Sequence, residues 1–187
     1  MGLCSVLSFK SKDLKTEDPK SIANLVSKYS VEYGLDPEIF ASLIYQESRG
    51  NVWAQRYEVG FYKRYIEGKG RDELSGFVPP RFPTLLTEQM SRAYSWGLCQ
   101  IMGETIRWMG FDGVYLAQAC DPSVNIRFGA KYLRRCLDKK AYLGAGLSQY
   151  KGALALYNGK RDHNNSDYDE RVLEHVENGN YNKILNP

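Results

Sequence analysis

The residue best placed to do chemistry is Glu47, a carboxylate that continues an apolar helical stripe. Phe40, Leu43 and Ile44 recur at helical spacing, and Glu47 lies one turn further along the same face. A carboxyl group on such a stripe is partly withdrawn from water, which disfavours its charged form and raises its pKa toward neutrality, as a general acid requires. Periodicity by itself favours a plainer interpretation, in which Glu47 reaches the surface where the helix ends. The choice between the two therefore depends on the surrounding sequence.

Three short segments support the catalytic interpretation. The segments are Glu47-Ser48-Arg49-Gly50-Asn51, the stretch SRAYSWGLCQIM from Ser91 to Met102, and Ala155-Leu156-Tyr157-Asn158-Gly159. In this order and at this spacing they resemble the motifs of soluble-lytic-transglycosylase-like (SLT) domains, which form the lysozyme-related glycoside hydrolase family 23. The resemblance extends over about residues 21–176, which is nearly the whole chain.

The resemblance assigns one residue to catalysis. In the family, the Glu of the Glu-Ser pair is the sole acid/base, and the matching residue is Glu47, followed by Ser48. The family's G-L-M-Q block is matched by G-L-C-Q at residues 97–100, with Cys99 in place of the usual Met. Cys and Met are both soft hydrophobic residues, so this departure is expected to affect packing more than chemistry.

The same resemblance identifies residues that would contact a glycan. Tyr157 would form a hydrogen bond near the catalytic carboxyl or the sugar at the cleavage point, although without the resemblance it is equally well explained as a core aromatic. Gln100 and Ser91 would orient the carboxyl or the acetamido group of the substrate. Tyr94 and Ser95 replace a Gly-Ala pair of the family, a change expected to reshape the groove wall. The expected substrate-binding residues are Ser48, Tyr57, Ser91, Gln100, Met102, Tyr157 and Asn158.

Residues 53–90 lack a regular period and are predicted to be a loop-rich insertion that lines the groove. Glycines and the sequence VPPRFP interrupt any long helix, but a turn of helix or a short β-hairpin is compatible with residues 53–66. Many phage-type members of the family carry an aromatic-rich R-[YF]-E stretch after the catalytic segment, and Arg56-Tyr57-Glu58 resembles it. Aromatic rings beside polar groups suit the apolar faces and hydroxyl edges of sugars. The segment is thus expected to be a lid or groove wall, with a packed surface loop as the equally weighted alternative.

Two reactions are compatible with one catalytic glutamate. In the lytic route that the resemblance implies, Glu47 protonates the β-1,4 bond between N-acetylmuramic acid (MurNAc) and N-acetylglucosamine (GlcNAc), then accepts the proton of the C6 hydroxyl, leaving a 1,6-anhydro end. Hydrolysis, as in goose-type lysozymes, needs a second base, and Glu58 or Glu88 could face Glu47 at the inverting separation of about 6.5 to 9.5 Å. The plainer interpretation makes both of them solvated surface carboxylates. A non-catalytic glycan-binding module and a hydrolase of chitin or chitosan are further alternatives.

Helix signals along the chain predict a mainly α-helical domain, and the resemblance implies that its fold is lysozyme-like. Asp18-Pro19, Asp36-Pro37 and Asp121-Pro122 each place an N-cap residue before a proline at the first helical position. Gly34 and Gly50 are predicted to end the first two helices. Further helices are predicted around residues 85–92, 104–109, 150–157 and 168–176. Since no repeat or linker is visible, residues 1–187 are predicted to be one domain, with an N-terminal extension at 1–17.

Composition limits the class of protein. The 187 residues are 43% hydrophobic and 25% charged, a balance that predicts a folded globular domain. The 25 Lys and Arg against 22 Asp and Glu leave a net charge of +3, too weak to predict nucleic-acid binding. The four Cys have no C-x-x-C spacing and are predicted to be buried free thiols rather than metal ligands, with disulfides as the less favoured alternative. His163 and His175 are not expected to be catalytic.

No secretory signal and no membrane-spanning segment are visible in the sequence. The expected protein is a monomer that acts on peptidoglycan glycan strands without a cofactor or metal and without stable membrane insertion. The expected setting is a phage endolysin, made in the cytoplasm of the infected host and released to the cell wall, or a virion-associated enzyme. A bacterial enzyme exported by other means is left open.

Overall fold

The computed structural model describes residues 19–160 and 167–186, which are mainly helical. The helices are α1 (Pro19–Tyr33), α2 (Pro37–Ser48), α3 (Val59–Tyr65), α4 (Leu85–Arg92), α5 (Gly103–Trp108), α6 (Pro122–Lys139), α7 (Leu147–Tyr157), α8 (Tyr168–Glu177) and α9 (Asn182–Leu185). The strands are β1 (Gln55–Tyr57), β2 (Tyr94–Trp96) and β3 (Ile101–Met102). The predicted mainly α-helical class is confirmed. The expected extension at 1–17, Cys4 and His163 lie outside the described residues.

Helix α2, which carries Glu47, begins where its Asp-Pro pair predicts. The Asp36 carboxylate accepts hydrogen bonds from the backbone N–H groups of Glu38 and Ile39, at 2.9 and 3.1 Å. At the other end Arg49 adopts the left-handed conformation (φ 56°), and its N–H donates to the carbonyl of Tyr45. Helix α2 therefore stops at Ser48 and leaves Glu47 in its last turn.

The hydrophobic core surrounds α2. All residues of α2 from Ile39 to Ile44 are buried, and the helix contacts α1, α8 and α9, while α6 packs against α1 and α7. Buried side chains from these helices, including Phe40, Leu133 and Leu154, belong to one cluster. Burial of one large apolar side chain stabilises the fold by about 1.5–3 kcal/mol. The cluster as a whole therefore holds α2 in one orientation, which fixes the position of Glu47 at its end.

Of the two alternatives expected within residues 53–66, the structure contains the helical one as α3, whereas the strand of this segment does not form a local hairpin. β1 pairs antiparallel with β2, which follows α4, in the register Gln55↔Trp96 and Tyr57↔Tyr94. β2 turns back onto β3 through residues 97–100, where Gly97 and Gln100 have positive φ values of 66° and 46°. The G-L-C-Q segment is thus a hairpin turn. Strands of two or three residues are too short to show a period, so the β2–β3 hairpin was not predicted. The pairing of β1 with β2 was not predicted either, because the two strands are distant in sequence.

A buried ion cluster fastens the insertion to the helical core. The Glu88 carboxylate accepts from Nε of Arg92 at 3.0 Å and from Nε of Arg107 at 2.8 Å, and all three side chains are fully buried. Arg92 also donates to Glu104 and to the backbone carbonyls of Ser75 and Phe77. Both predictions made for Glu88 were wrong: it is neither a solvated carboxylate nor a base facing the groove, because its charge is compensated inside the protein.

Three cysteines in the described part of the chain, Cys99, Cys120 and Cys136, are buried free thiols, as expected for them. None of the helices in residues 19–160 and 167–186 combines the length and the apolar character needed to cross a membrane.

Candidate active site

A groove of about 350 Å³ opens between the helical core and the small sheet, and Glu47 lies in its wall. The sheet contributes Ser95, Ile101 and Met102, and the turn before β3 contributes Gln100. The insertion contributes Arg56, Glu58 and Phe61, and the helical side contributes Tyr132, Tyr157, Asn158 and Gly159. Segments distant in sequence therefore meet around one carboxyl group.

Burial dominates the electrostatics of Glu47. It raises the pKa of this carboxyl from 4.5 to about 7, while a hydrogen bond from Tyr168 and the nearby positive charge of Arg56 act in the opposite direction. At neutral pH the group therefore populates both its protonated and its ionised form. A carboxyl group that is present in both protonation states at this pH can donate a proton and later accept one, as acid/base catalysis requires.

Tyr168, on the first turn of α8, is the hydrogen-bond donor to Glu47. Its hydroxyl donates to Oε1 of Glu47, and its side chain is buried. Burial, together with the adjacent carboxylate, raises the pKa of Tyr168 well above its ordinary value, so the phenol keeps its proton. Sequence analysis missed this role because Tyr168 fits the apolar stripe of its helix, and nothing in the pattern signals a partner on α2.

Tyr157 lines the groove but bonds to the backbone. Its hydroxyl donates to the carbonyl of Cys99 at 2.9 Å, and its ring packs on Tyr132 with centroids 5.0 Å apart. The backbone N–H of Cys99 in turn donates to Oδ1 of Asn125 at 2.7 Å. Tyr157 and Asn125 thus hold the G-L-C-Q turn from two sides.

Gln100 lines the groove, and its side chain is hydrogen-bonded within the protein. Its side-chain amide donates to the carbonyls of Ala54 and Gly97, at 3.0 and 2.8 Å, and its Oε1 accepts from the hydroxyl of Ser95 at 2.9 Å. These bonds connect the residue before β1 to the β2–β3 turn. The orientation of Ser95 and Gln100 in the groove wall is therefore fixed before any ligand binds.

Strand alternation decides which insertion residues face the groove. Arg56 and Ser95 are paired across β1 and β2, and both line the groove. Tyr57 and Tyr94, the neighbouring pair, stack on each other with ring centroids 5.1 Å apart. Since successive strand residues point to opposite faces, Arg56 faces the groove and Tyr57 faces away from it.

A family model described as Transglycosylase SLT domain matches residues 24–171 of the chain. The chain belongs to this family. No curated protein matches it significantly. The match includes Glu47, the G-L-C-Q turn, Tyr157 and Tyr168. Membership implies lytic-transglycosylase-type cleavage of peptidoglycan, and peptidoglycan is the substrate on which SLT domains act.

The groove of this SLT domain contains four of the substrate-binding residues expected from the sequence: Gln100, Met102, Tyr157 and Asn158. Three others are not among the described residues that line it. Ser48 closes α2, since its hydroxyl donates to the carbonyl of Ile44 and accepts from the N–H of Gly50, both at 3.2 Å. Ser91 lies in α4, where its carbonyl accepts from Nε1 of Trp96 at 2.9 Å. Tyr57, the third, lies on the other face of the sheet.

Arg56 and Glu58 form an ion pair at the edge of the groove. Nε of Arg56 donates to Oε1 of Glu58 at 2.5 Å, and the Arg56 side chain is 75% exposed. Sequence analysis named Arg56 only as part of the R-[YF]-E stretch and not as a site residue, although its place two residues before Glu58 on a strand could have indicated a shared face. As for metals, the described residues contain no group of three or more His, Cys, Asp or Glu side chains that could hold an ion.

Proposed function

We propose that the protein is a peptidoglycan lytic transglycosylase that cleaves the MurNAc–GlcNAc β-1,4 bond with Glu47 as its single acid/base. The observation that carries the proposal is the environment of Glu47, a carboxyl shielded at the wall of a groove, with a pKa raised to about 7. Asn158 offers an amide donor and acceptor in the same groove, which suit the acetamido and hydroxyl groups of a glycan. The amide of Gln100 is bonded within the protein and keeps the groove wall in place.

The first step is proton donation. Protonated Glu47 gives its proton to the bridging oxygen, the bond from that oxygen to C1 of MurNAc breaks, and the GlcNAc chain leaves with a free hydroxyl. Positive charge develops at C1, where the acetamido oxygen of the same MurNAc can stabilise it. Tyr168 donates to the newly formed Glu47 carboxylate, which lowers the free energy of the charged form.

The second step returns the proton. The Glu47 carboxylate accepts the proton of the C6 hydroxyl of the same MurNAc while that oxygen bonds to C1. The product carries a 1,6-anhydro ring, Glu47 is protonated again, and no water is consumed. One carboxyl group thereby serves in both steps, which is consistent with a pKa close to the working pH.

Hydrolysis of the same bond is the second candidate, because Glu58 also lines the groove. The ion pair with Arg56 counts against Glu58 as the base, since its Oε1 already accepts a hydrogen bond from Nε of Arg56 at 2.5 Å. The products separate the candidates: 1,6-anhydro ends are lighter by one water than reducing ends.

The test is mass analysis of purified sacculi digested by the wild-type protein and by Glu47→Gln. We expect anhydro-muropeptides from the wild type and a loss of activity on the order of a thousandfold or more in Glu47→Gln, whose folding is checked by circular dichroism. Reducing ends would establish the hydrolase. Undigested sacculi that still bind the protein would establish a glycan-binding module, and near-normal digestion by Glu47→Gln would remove Glu47 from its role.

A further inference from the structure

Arg56 has no role in the chemistry above, yet it is the only cationic side chain among the described residues that line the groove. The antiparallel pairing with Ser95 fixes the face on which it lies. Glu47 lines the same groove, and the charge of Arg56 lowers the pKa of its carboxyl against the larger effect of burial. A glycan bound over Glu47 therefore lies in the groove to which Arg56 presents its guanidinium.

The ion pair with Glu58 orients Arg56 without using up its donors. Glu58 engages Nε, and the Nη1 and Nη2 atoms have no hydrogen-bond partner among the described residues. These two nitrogens carry four N–H groups in a planar fork, the geometry that binds a carboxylate through two parallel hydrogen bonds. Arg56 is therefore held in place at one nitrogen and open to an anion at the other two.

The two sugars of peptidoglycan differ in the charge that they carry. GlcNAc is neutral, as is every unit of chitin. MurNAc bears a lactyl ether whose carboxyl is either free or joined to a stem peptide, and the peptide has carboxylates of its own. An anion beside the scissile bond thus distinguishes muramic acid from other acetamido sugars.

We propose that Arg56 is a specificity-determining residue that binds a carboxylate carried by the lactyl substituent of MurNAc, either the lactyl carboxylate itself or one of the stem peptide. This inference rests on the proposed function for its substrate class. Arg56 selects peptidoglycan over chitin in the groove, and Glu58 keeps its guanidinium directed there.

Binding measurements in a Glu47→Gln background separate recognition from turnover. Isothermal titration uses three tetrasaccharides: one with stem peptides, one whose peptides have been removed by an amidase to leave free lactyl carboxylates, and chitotetraose. We expect Glu47→Gln/Arg56→Gln to bind at least one anionic glycan about tenfold more weakly and chitotetraose unchanged. Arg56→Lys should retain part of the affinity, since it keeps the charge but loses the fork.

The matched control is Arg134→Gln in the same background. Arg134 is also an arginine paired with a carboxylate, Asp138 at 2.8 Å, but it lines a separate surface cavity. It should leave all three affinities unchanged. A loss confined to the peptide-bearing glycan assigns the anion to the stem peptide, and a loss with the amidase-treated glycan assigns it to the lactyl group.

Equal affinities with and without Arg56 for both anionic glycans would overturn the proposal, as would equal weakening for all three ligands. A failure of the proposed function is detected by a different measurement, the digestion of sacculi. A wild-type protein that does not digest sacculi would contradict the transglycosylase activity, whereas the binding comparison would still report on Arg56.

Discussion

Removal of the Tyr168 hydroxyl should change how the activity depends on pH. The hydroxyl donates to Oε1 of Glu47, and this hydrogen bond lowers the pKa of the carboxyl against the larger effect of burial. Glu47 must carry a proton to donate it to the glycosidic oxygen, so activity falls as pH rises through its pKa of about 7. Without the donor the ionised form is less stable, and Tyr168→Phe should move this alkaline limb to higher pH.

The size of the shift follows from the strength of the bond. A hydrogen bond to a charged group contributes about 1.5–3 kcal/mol, and 1.36 kcal/mol corresponds to one pH unit, so the limb should move upward by about one to two units. The same loss destabilises the carboxylate formed after proton donation. Below the limb, where Glu47 is protonated in both enzymes, the rate of Tyr168→Phe should therefore be about tenfold lower.

The assay is the initial rate of dye release from labelled sacculi between about pH 5 and 9, at substrate concentrations low enough to report kcat/KM and hence the free enzyme. Tyr157→Phe is the matched control, because its hydroxyl donates to the Cys99 carbonyl rather than to Glu47. It should leave the midpoint of the limb in place. A midpoint for Tyr168→Phe equal to that of the wild type would refute the reasoning.

Two further predictions concern stability. Folding raises the pKa of Glu47 from 4.5 to about 7, so the stability contributed by its protonated form is present below pH 4.5 and is lost as pH rises to about 7, with an upper limit of about 3 kcal/mol. Glu47→Gln should thus raise the melting temperature at pH 8 more than at pH 4.5, and equal increments in calorimetry would contradict this sign. Glu88→Gln should lower the free energy of unfolding by about 3–5 kcal/mol, because Arg92 and Arg107 stay buried with less compensation. Urea titration measures this loss, and a decrease in the free energy of unfolding below about 1 kcal/mol would show that other groups compensate the charges of the two arginines.

The helical frame was largely readable from the sequence because its signals are local. Asp36 caps α2 and Asp121 caps α6 as their Asp-Pro pairs predict, and α4 occupies residues 85–92 as expected. The apolar stripe of α2 drew attention to Glu47, but only the three segments that resemble SLT motifs favoured the catalytic interpretation over a surface position. Local signals of this kind act within a few residues, so no distant partner needs to be known.

The parts that escaped prediction depend on partners distant in sequence. Tyr168 is an ordinary stripe residue until α8 packs on α2, and Glu88 resembles a surface carboxylate until Arg107 approaches it from another helix. Tyr57 was expected in the groove because its type suits sugars. Residue type does not fix the face of a strand, and the pairing of β1 with β2 is a tertiary event.

Rigidity of the groove follows from how its polar groups are satisfied. Gln100 uses both ends of its amide within the protein, and Tyr157 and Asn125 hold the backbone of Cys99, so this wall has little freedom to reorganise when a glycan binds. The side chain of Arg56, which pairs with Ser95 on the same sheet, is held at one nitrogen only. The fixed turn and its neighbours are therefore suited to orient the reacting sugar relative to Glu47, while the exposed arginine can follow the variable substituent. Positioning and selection are thus assigned to different residues of one groove, and a substitution of Arg56 should alter binding selectivity while moving the pKa-dependent limb less than a substitution of Tyr168 does.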